Sequence, residues 1–311
     1  MDDSNTRKNE KRYAIVGVVG RTNAGKSTLV NAIVGDKVSI TSPVVQTTRN
    51  VVRGVFTDRR GQLVLVDTPG LHKSESNLGT LMNRMARQAS ANVNVLMVVV
   101  DASRAPQLED EGWLRRALFA EQPVIVALNK CDKGPTSHVP EFHAAWKAIQ
   151  EEKDHHRDDV EWIEISAVAK RNLPQLLEKL FSHAEPGEPY FPADTVTDYP
   201  RPLAIADVIR EKLFSRLSDE LPHEIGVRID GITENGRNWH VRATIFVNRP
   251  SQRPIVLGEK GRTIRAVRRA AEPEISAMFD VEAELELWVK VEKDWAKNFW
   301  LLRQMGYTEP R

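Results

Sequence analysis

The segment Gly20-Arg21-Thr22-Asn23-Ala24-Gly25-Lys26-Ser27 constrains this chain most, because the G-x-x-x-x-G-K-S pattern works physically at only one kind of junction. Its glycines let the backbone curl so that successive N–H groups face phosphate oxygens, and a following helix adds the positive end of its dipole. A strand must therefore lead in and a helix must lead out. Both are legible: Tyr13–Gly20 is a short apolar run, and Lys26–Val34 reads as a helix. Lys26 is expected to reach the β- and γ-phosphates of a nucleotide and the Ser27 hydroxyl to bind Mg²⁺, with Thr28 closing the loop set. An ordinary glycine-rich turn would not need this context.

Downstream, Leu63–Val66, Val95–Val100, Val124–Leu128 and Trp162–Ser166 are short runs suited to strands buried on both faces. Leu78–Ser90, Asp110–Ala120, Pro140–Glu152 and Leu173–His183 read as helices between and after them. The alternation predicts an α/β P-loop domain with a mostly parallel, doubly wound sheet. Ligands bind such sheets at the carboxyl ends of the strands, and three more motif pieces fall there. In Asn129-Lys130-Cys131-Asp132 the Asp132 carboxylate is expected to accept two hydrogen bonds from guanine, a donor pattern adenine lacks. Each charge-assisted bond is worth roughly 1.5–3 kcal/mol, so two discriminate strongly. Asn129 is expected to brace the loop, Lys130 to cover the base, and Cys131 to be inert. In Asp67-Thr68-Pro69-Gly70, Asp67 is placed to hold Mg²⁺ through a water and the Gly70 N–H to sense the γ-phosphate. Backbone N–H groups of Ser166 and Ala167 are expected at the guanine carbonyl. Within Gln46-Thr47-Thr48-Arg49, Thr48 is the expected Mg²⁺ ligand of the GTP state, with Thr47 the alternative. Together these predict GTP hydrolysis by in-line attack of water, with Lys26, Thr48 and Gly70 in the catalytic set.

The 311 residues are enough for two domains. A formal net charge of +1 gives no global basic field, so any nucleic-acid affinity must be local. Cys131 is the single cysteine, which excludes an intrachain disulfide framework. The polar start MDDSNTRKNEKR is unlike a secretory signal, and the longest apolar run, Val93–Val100 broken by Asn94, falls far short of the roughly 20 residues that span a bilayer. A soluble cytoplasmic protein is expected. Five prolines between Pro186 and Pro202 suggest an inter-domain linker over 185–203, semi-extended and packed at places such as Tyr190 and Phe191. After it come a helix (Ala204–Ser218), strands Ile225–Ile229 and His240–Val247 joined through Glu234-Asn235-Gly236, and a helix (Thr263–Met278). A strand at Val281–Val291 and a terminal helix at Asp294–Gln304 complete the chain.

GRTNAGKST, SITSPVVQTTRN, VDTPGLH and NKCD, followed by the linker and ELELWVKV, resemble the Era-like GTPase family, related to translation factors, over nearly the whole chain. The resemblance implies a polar tail (1–12), a GTPase domain (13–184), the linker (185–203) and a type II KH domain of α+β class (204–311). It also implies GTP and GDP as ligands, binding to the 3′ end of small-subunit ribosomal RNA, and assistance in maturation of that subunit. A monomer is expected, and peripheral membrane attachment occurs in the family. Thr22-Asn23-Ala24 stands where the family usually has Pro-Asn-Val; phosphate contacts there are mainly backbone. Asn23 is similar to the asparagine by which related GTPases hold K⁺ against the phosphates, which adds it to the expected catalytic set. Leu71 follows Gly70 where Ras-like switches put a water-orienting glutamine, so slow intrinsic turnover is expected.

Within the second half, Gly258-Glu259-Lys260-Gly261 fits the G-x-x-G loop that closes on nucleic-acid phosphates in KH domains, while bases lie in an apolar groove. Lys260, Arg262, Arg265, Arg268 and Arg269 surround it, and Arg262, Arg265 and Arg269 share a helix face. A solvated charged helix would look the same without the family pattern. Glu259 should weaken phosphate contact in the loop itself. Ile255, Val256, Leu257 and Ile264 suit either the groove or the core. The next stretch is acidic, from Glu272 to Glu286, so charge is expected to be segregated. A small-molecule P-loop kinase is disfavoured by N-K-x-D. A tRNA-modifying GTPase is disfavoured by the ending YTEPR, where that family uses a cysteine. A membrane-associated regulatory switch stands as the third reading.

Overall fold

The computed structural model describes residues 10–41, 49–70, 77–89, 91–133, 138–217 and 221–307. The chain divides into two compact units, one of Met1–Ser39, Val51–Lys73 and Met82–Asp198, the other of Ile40–Asn50, Ser74–Leu81 and Tyr199–Arg311.

The first unit runs β1 (Arg12–Val19), α1 (Lys26–Val34), β2 (Val52–Asp58), β3 (Gly61–Asp67), α2 (Asn77–Ala89), β4 (Val95–Asp101), α3 (Leu108–Leu118), β5 (Val124–Asn129), α4 (Val139–Lys153), β6 (Glu161–Glu164), α5 (Leu173–Ser182) and β7 (Glu185–Pro186). Its sheet has the order β2-β3-β1-β4-β5-β6, with β7 on the start of β1. Pairing is parallel except β2 with β3 and β7 with β1. Alternate residues of the central strands feed two cores. Val95, Met97 and Val99 meet α1 and α5 through Leu29 and Leu176. Leu96, Val98 and Val100 meet α3 and α4 through Trp113 and Phe142. Such two-sided burial is why these strands read as unbroken apolar runs.

Residues 185–198 are packed on the first unit, at Phe191 as expected but not at Tyr190. The Gln62 amide holds the Phe191 backbone at both ends, Nε2 donating to its carbonyl at 2.9 Å and Oε1 accepting its N–H at 3.0 Å. Val55 N–H donates to Val196 O at 2.9 Å, and Arg53 pairs with Asp198 at 2.6 Å. Phe191 is half-buried, whereas Tyr190 is exposed.

The second unit runs α6 (Arg201–Phe214), β8 (Gly226–Asn235), β9 (Asn238–Val247), α7 (Gln252–Leu257), α8 (Arg262–Phe279), β10 (Glu282–Val291) and α9 (Phe299–Gln304). The sheet order is β10-β9-β8, with β10 parallel and β8 antiparallel to β9. Val267, Ala271 and Ile275, four apart on α8, reach the core with Leu285 and Val289 of β10. α6 begins three residues before the expected start, with Pro202 in its first turn, where the missing N–H has no intrahelical partner to lose. The expected terminal helix is broken at Asn298, which leaves helical geometry and caps α9 by accepting the Leu301 N–H. The short helix α7 has no counterpart in the sequence reading.

Candidate nucleotide-binding site and RNA-binding loop

The Gly20–Ser27 loop joins β1 to α1 at the carboxyl edge of the first unit's sheet. Its glycines are required by space as well as by conformation. Gly20 has φ 147°, and a Cβ there would lie 2.2 Å from the Val99 carbonyl oxygen. Gly25 has φ 98°, and a Cβ there would lie 2.4 Å from Asn129 Nδ2. Lys26 is buried, its Nζ donating to the carbonyls of Gly20 at 3.0 Å and Arg21 at 2.9 Å. Burial lowers its pKa to about 8 against the opposing pull of Asp67. An anion entering the loop would exchange two neutral acceptors for a charged one.

Asp67 ends β3 fully buried, and neither carboxylate oxygen completes a hydrogen bond among the described residues. Burial raises its pKa, against the Lys26 charge and the nearby Ser27 and Ser39 hydroxyls. A buried carboxylate this short of donors fits a divalent cation shared with the Ser27 hydroxyl. Thr68 Oγ1 donates to Val18 O at 2.9 Å, tying the next loop to β1. Pro69 and Gly70 are buried, and a Cβ on Gly70 would lie 2.7 Å from the Thr22 backbone nitrogen. Thr47, Thr48 and Leu71 lie outside the described residues.

At the end of β5, Asn129 Nδ2 donates to Ala24 O at 2.9 Å while its Oδ1 accepts the Ala167 N–H at 3.0 Å. One amide thus ties the phosphate loop to the loop after β6. Lys130 (φ 68°) reaches back, its Nζ donating to Asn23 O at 2.6 Å and to Asp101 Oδ2 at 2.7 Å. Asp132 is exposed just beyond, and the intervening Cys131 N–H donates to Ile165 O at 3.2 Å. Ser166 and Ala167 differ from expectation. The Ser166 N–H bonds Arg171 O at 3.2 Å and the Ala167 N–H bonds Asn129, so both donors are engaged inside the protein. In this structure Ala167 braces Asn129, and Ser166 closes its own loop on Arg171.

In the second unit, Gly258 closes α7 with its N–H on Pro254 O at 2.8 Å and φ 71°, and a Cβ there would lie 2.2 Å from Thr263 Oγ1. Lys260 and Gly261 also have positive φ, at 49° and 76°, and Gly261 caps α8. Glu259, Lys260, Arg262, Arg265, Arg268 and Arg269 are all exposed. Beside the loop, a groove of about 420 Å³ lies between α8 and β10, lined by Ile264, Arg265, Arg268, Leu287 and Trp288 among others. Val256 is core, Ile264 both packs on the core and lines the groove, and Ile255 is exposed. Charge is less segregated than expected, because Glu284 and Glu286 line the same groove.

Residues 15–130 match the family model of a 50S ribosome-binding GTPase, and residues 220–296 match that of a KH domain. The GTPase Era of Halothermothrix orenii is 37% identical over 297 residues, which cover 95% of this chain and 98% of the relative. The chain belongs to the Era family of GTPases. Among solved Era structures, an Aquifex aeolicus variant bound to GDP.AlF4⁻ superposes with a TM-score of 0.86 at 32% identity, covering 96% of this chain and 99% of that one. Era in complex with MgGDPNP and nucleotides 1506–1542 of 16S ribosomal RNA gives 0.87 at 31%, with the same coverage.

Three residues of this Era-family chain carry structure that its motifs do not announce. Arg21 Nε donates to Asp110 Oδ2 at 3.2 Å, and the same oxygen accepts the Gln107 N–H at the start of α3, so one carboxylate serves a helix cap and the phosphate loop. Asp101 anchors Lys130; an acid closing the apolar run Val95–Val100 was the available signal. Arg49, next to the expected magnesium threonine, is buried in the second unit, its Nη1 donating to Ile225 O at 2.8 Å. No helix among the described residues is long and apolar enough to cross a membrane.

Proposed function

We infer that this chain is a GTP-hydrolysing switch whose output is RNA binding. The observation that carries the nucleotide half is the bridge made by Asn129 and Lys130, which holds the guanine-reading loop against the phosphate loop. Lys26, the N–H groups of the Gly20–Ser27 loop and that of Thr28 bind the phosphates. Ser27, Asp67 and, in the GTP state, Thr48 hold Mg²⁺, which neutralises phosphate charge when bound. Asp132 selects guanine, and the Gly70 N–H meets the γ-phosphate. Turnover is slow unaided, because Leu71 has no group to orient water.

The decisive test replaces Asp132 by Asn. An amide reverses one hydrogen-bonding edge, so GTP affinity should fall at least about hundredfold while xanthosine triphosphate gains. Retained GTP preference would overturn the assignment.

The RNA half is carried by the Gly258–Gly261 loop, whose positive φ angles leave backbone beside an open groove. Lys260, Arg262, Arg265, Arg268 and Arg269 supply charge. As with the solved relative, the RNA is the 3′ end of the small-subunit ribosomal RNA, and the function is assistance in assembly and maturation of that subunit. Gly258→Asp with Gly261→Asp should abolish RNA binding and spare GTP binding; surviving RNA affinity would remove this site. A cytoplasmic monomer is the form proposed. Peripheral membrane contact rests on the family resemblance alone. Asn23 suggests activation by K⁺, and equal hydrolysis rates in potassium and sodium buffers would dismiss it.

A further inference from the structure

A second basic surface adjoins the groove of the C-terminal unit. Arg216, two residues past α6, joins Arg262, Arg265 and Arg269 of α8 around an open depression of about 510 Å³ floored by Ala266 and Ala270. All four arginines are exposed, and none forms an ion pair among the described residues. Their neighbours differ: Arg268 pairs with Glu272 at 3.6 Å, and Lys212 pairs with Glu211 and Glu274. Arg216 is held in place by its own Nη1, which donates to Lys212 O at 3.0 Å and Ser215 Oγ at 2.9 Å.

The arginines of α8 therefore serve two faces. Arg268 faces the mixed-charge groove with Glu284 and Glu286, whereas Arg262 and Arg269 face the depression whose charged lining among the described residues is arginine; Arg265 lines both. Arg262 and Arg269 are seven residues apart, about 10 Å along the helix, which matches a stretch of backbone better than a single phosphate. Uncompensated cations within about a Debye length repel one another until a polyanion neutralises them. Small alanines between them leave room for a chain to lie close.

We propose that Arg216, Arg262 and Arg269 form a phosphate-tracking face that holds RNA backbone beyond the bases seated in the groove, with Arg265 as the junction. This rests on the RNA-binding reading above and adds a residue, Arg216, that lies outside the G-x-x-G motif and its helix. The groove takes about four nucleotides, so the face acts only on longer RNA.

The test compares the full chain with R216Q/R262Q/R269Q on two RNAs: a single strand of about five nucleotides from the 3′ end, and the segment 1506–1542. The long RNA should lose affinity at least about tenfold at 0.1 M salt, and its slope of log affinity against log salt should shrink by about 3. R216Q alone, outside the loop and its helix, should leave the short strand unaffected within about twofold, and R216K/R262K/R269K should keep long-RNA affinity within about threefold. Unchanged slope and affinity on the long RNA would overturn the proposal. So would equal loss on both RNAs, failure of the lysine variant to retain binding, or a loss confined to sedimentation with phosphatidylglycerol vesicles. The Gly258→Asp, Gly261→Asp protein separates the two readings: if it still binds the short strand, the groove assignment fails, whatever the arginine variants do.

Discussion

Asp101 illustrates how a single side chain links stability to the nucleotide site. Burial alone would raise its pKa, but hydrogen bonds from Lys130 and Ser103, with the charges of Lys130 and Arg104, bring it down to about 2. A folded-state value below the unfolded 3.8 means that the carboxylate adds stability above about pH 4, and that this is lost as pH falls towards 2. The contribution at neutral pH is about 2 kcal/mol. Asp101→Asn should therefore lower the denaturant midpoint of the first unit at pH 7, with the gap to wild type closing by pH 2. A gap independent of pH would refute the linkage. Because Lys130 loses its anchor, GTP affinity should also fall, about fivefold for a loss near 1 kcal/mol. Arg21 and Asp110 offer a parallel case on the other side of the phosphate loop, where one buried carboxylate serves both a loop and a helix cap.

Among elements, β2 best explains what the sequence concealed. Its residues Val52–Asp58 include Arg53, Gly54, Thr57 and Asp58, so the run lacks the apolar density of β3 or β4. It is an edge strand of the sheet, antiparallel to β3, with residues 196–197 covering its outer side. Gly54 is there for α1: a Cβ would stand 2.8 Å from Val30 Cγ1 and 2.9 Å from Val34 Cγ2. Valines in a helix have little χ1 freedom to yield. Gly54→Ala should destabilise the first unit by about 1–3 kcal/mol and lower its thermal midpoint by several degrees, read by circular dichroism. An unchanged midpoint would mean that α1 moves freely. The same physics decides what was legible. Strands buried on both faces declare themselves, as do the glycines of the phosphate loop, whose positions follow from the chemistry they permit. Short or edge elements such as α7 and β2 do not, because their stability comes from neighbours distant in sequence. For the same reason Asn129 could be assigned as a brace from its motif, whereas the engagement of the Ala167 N–H by that same side chain needed coordinates.

At the scale of the whole molecule, the segment between α1 and β2 matters most, because its described residues, 40–41 and 49–50, belong to the C-terminal unit. Both described ends of the segment are fastened there. Thr41 N–H donates to Glu211 Oε2 at 3.2 Å. Arg49 lies 5.7 Å over the Phe214 ring and bonds Ile225 O, while Asn50 Nδ2 donates to the Tyr199 hydroxyl, which in turn bonds Asp207. Arg210 pairs with Asp207 at 2.8 Å and donates to the Tyr307 hydroxyl at 3.1 Å, which closes a buried polar network around the guanidinium of Arg49. The proposed magnesium threonine, Thr48, is the residue before Arg49. Any nucleotide-dependent change at Thr48 is therefore one peptide from a side chain anchored in the RNA-binding unit. Arg49→Ala should leave Ile225 O without its donor and destabilise the C-terminal unit by about 2–4 kcal/mol. Its more telling effect is on coupling. In the wild type the ratio of RNA affinities in the GTP and GDP states must equal the factor by which RNA changes the ratio of GTP affinity to GDP affinity. In the variant, assayed below its unfolding midpoint, both ratios should move together towards one, with RNA affinity in the GDP state changed by less than about threefold. Arg49→Lys should recover part of the stability but little of the coupling, because one ammonium cannot both donate to Ile225 O and keep the guanidinium's place over the Phe214 ring. If both ratios survive in Arg49→Ala, coupling does not pass through this segment, and the buried arginine serves the stability of the unit alone.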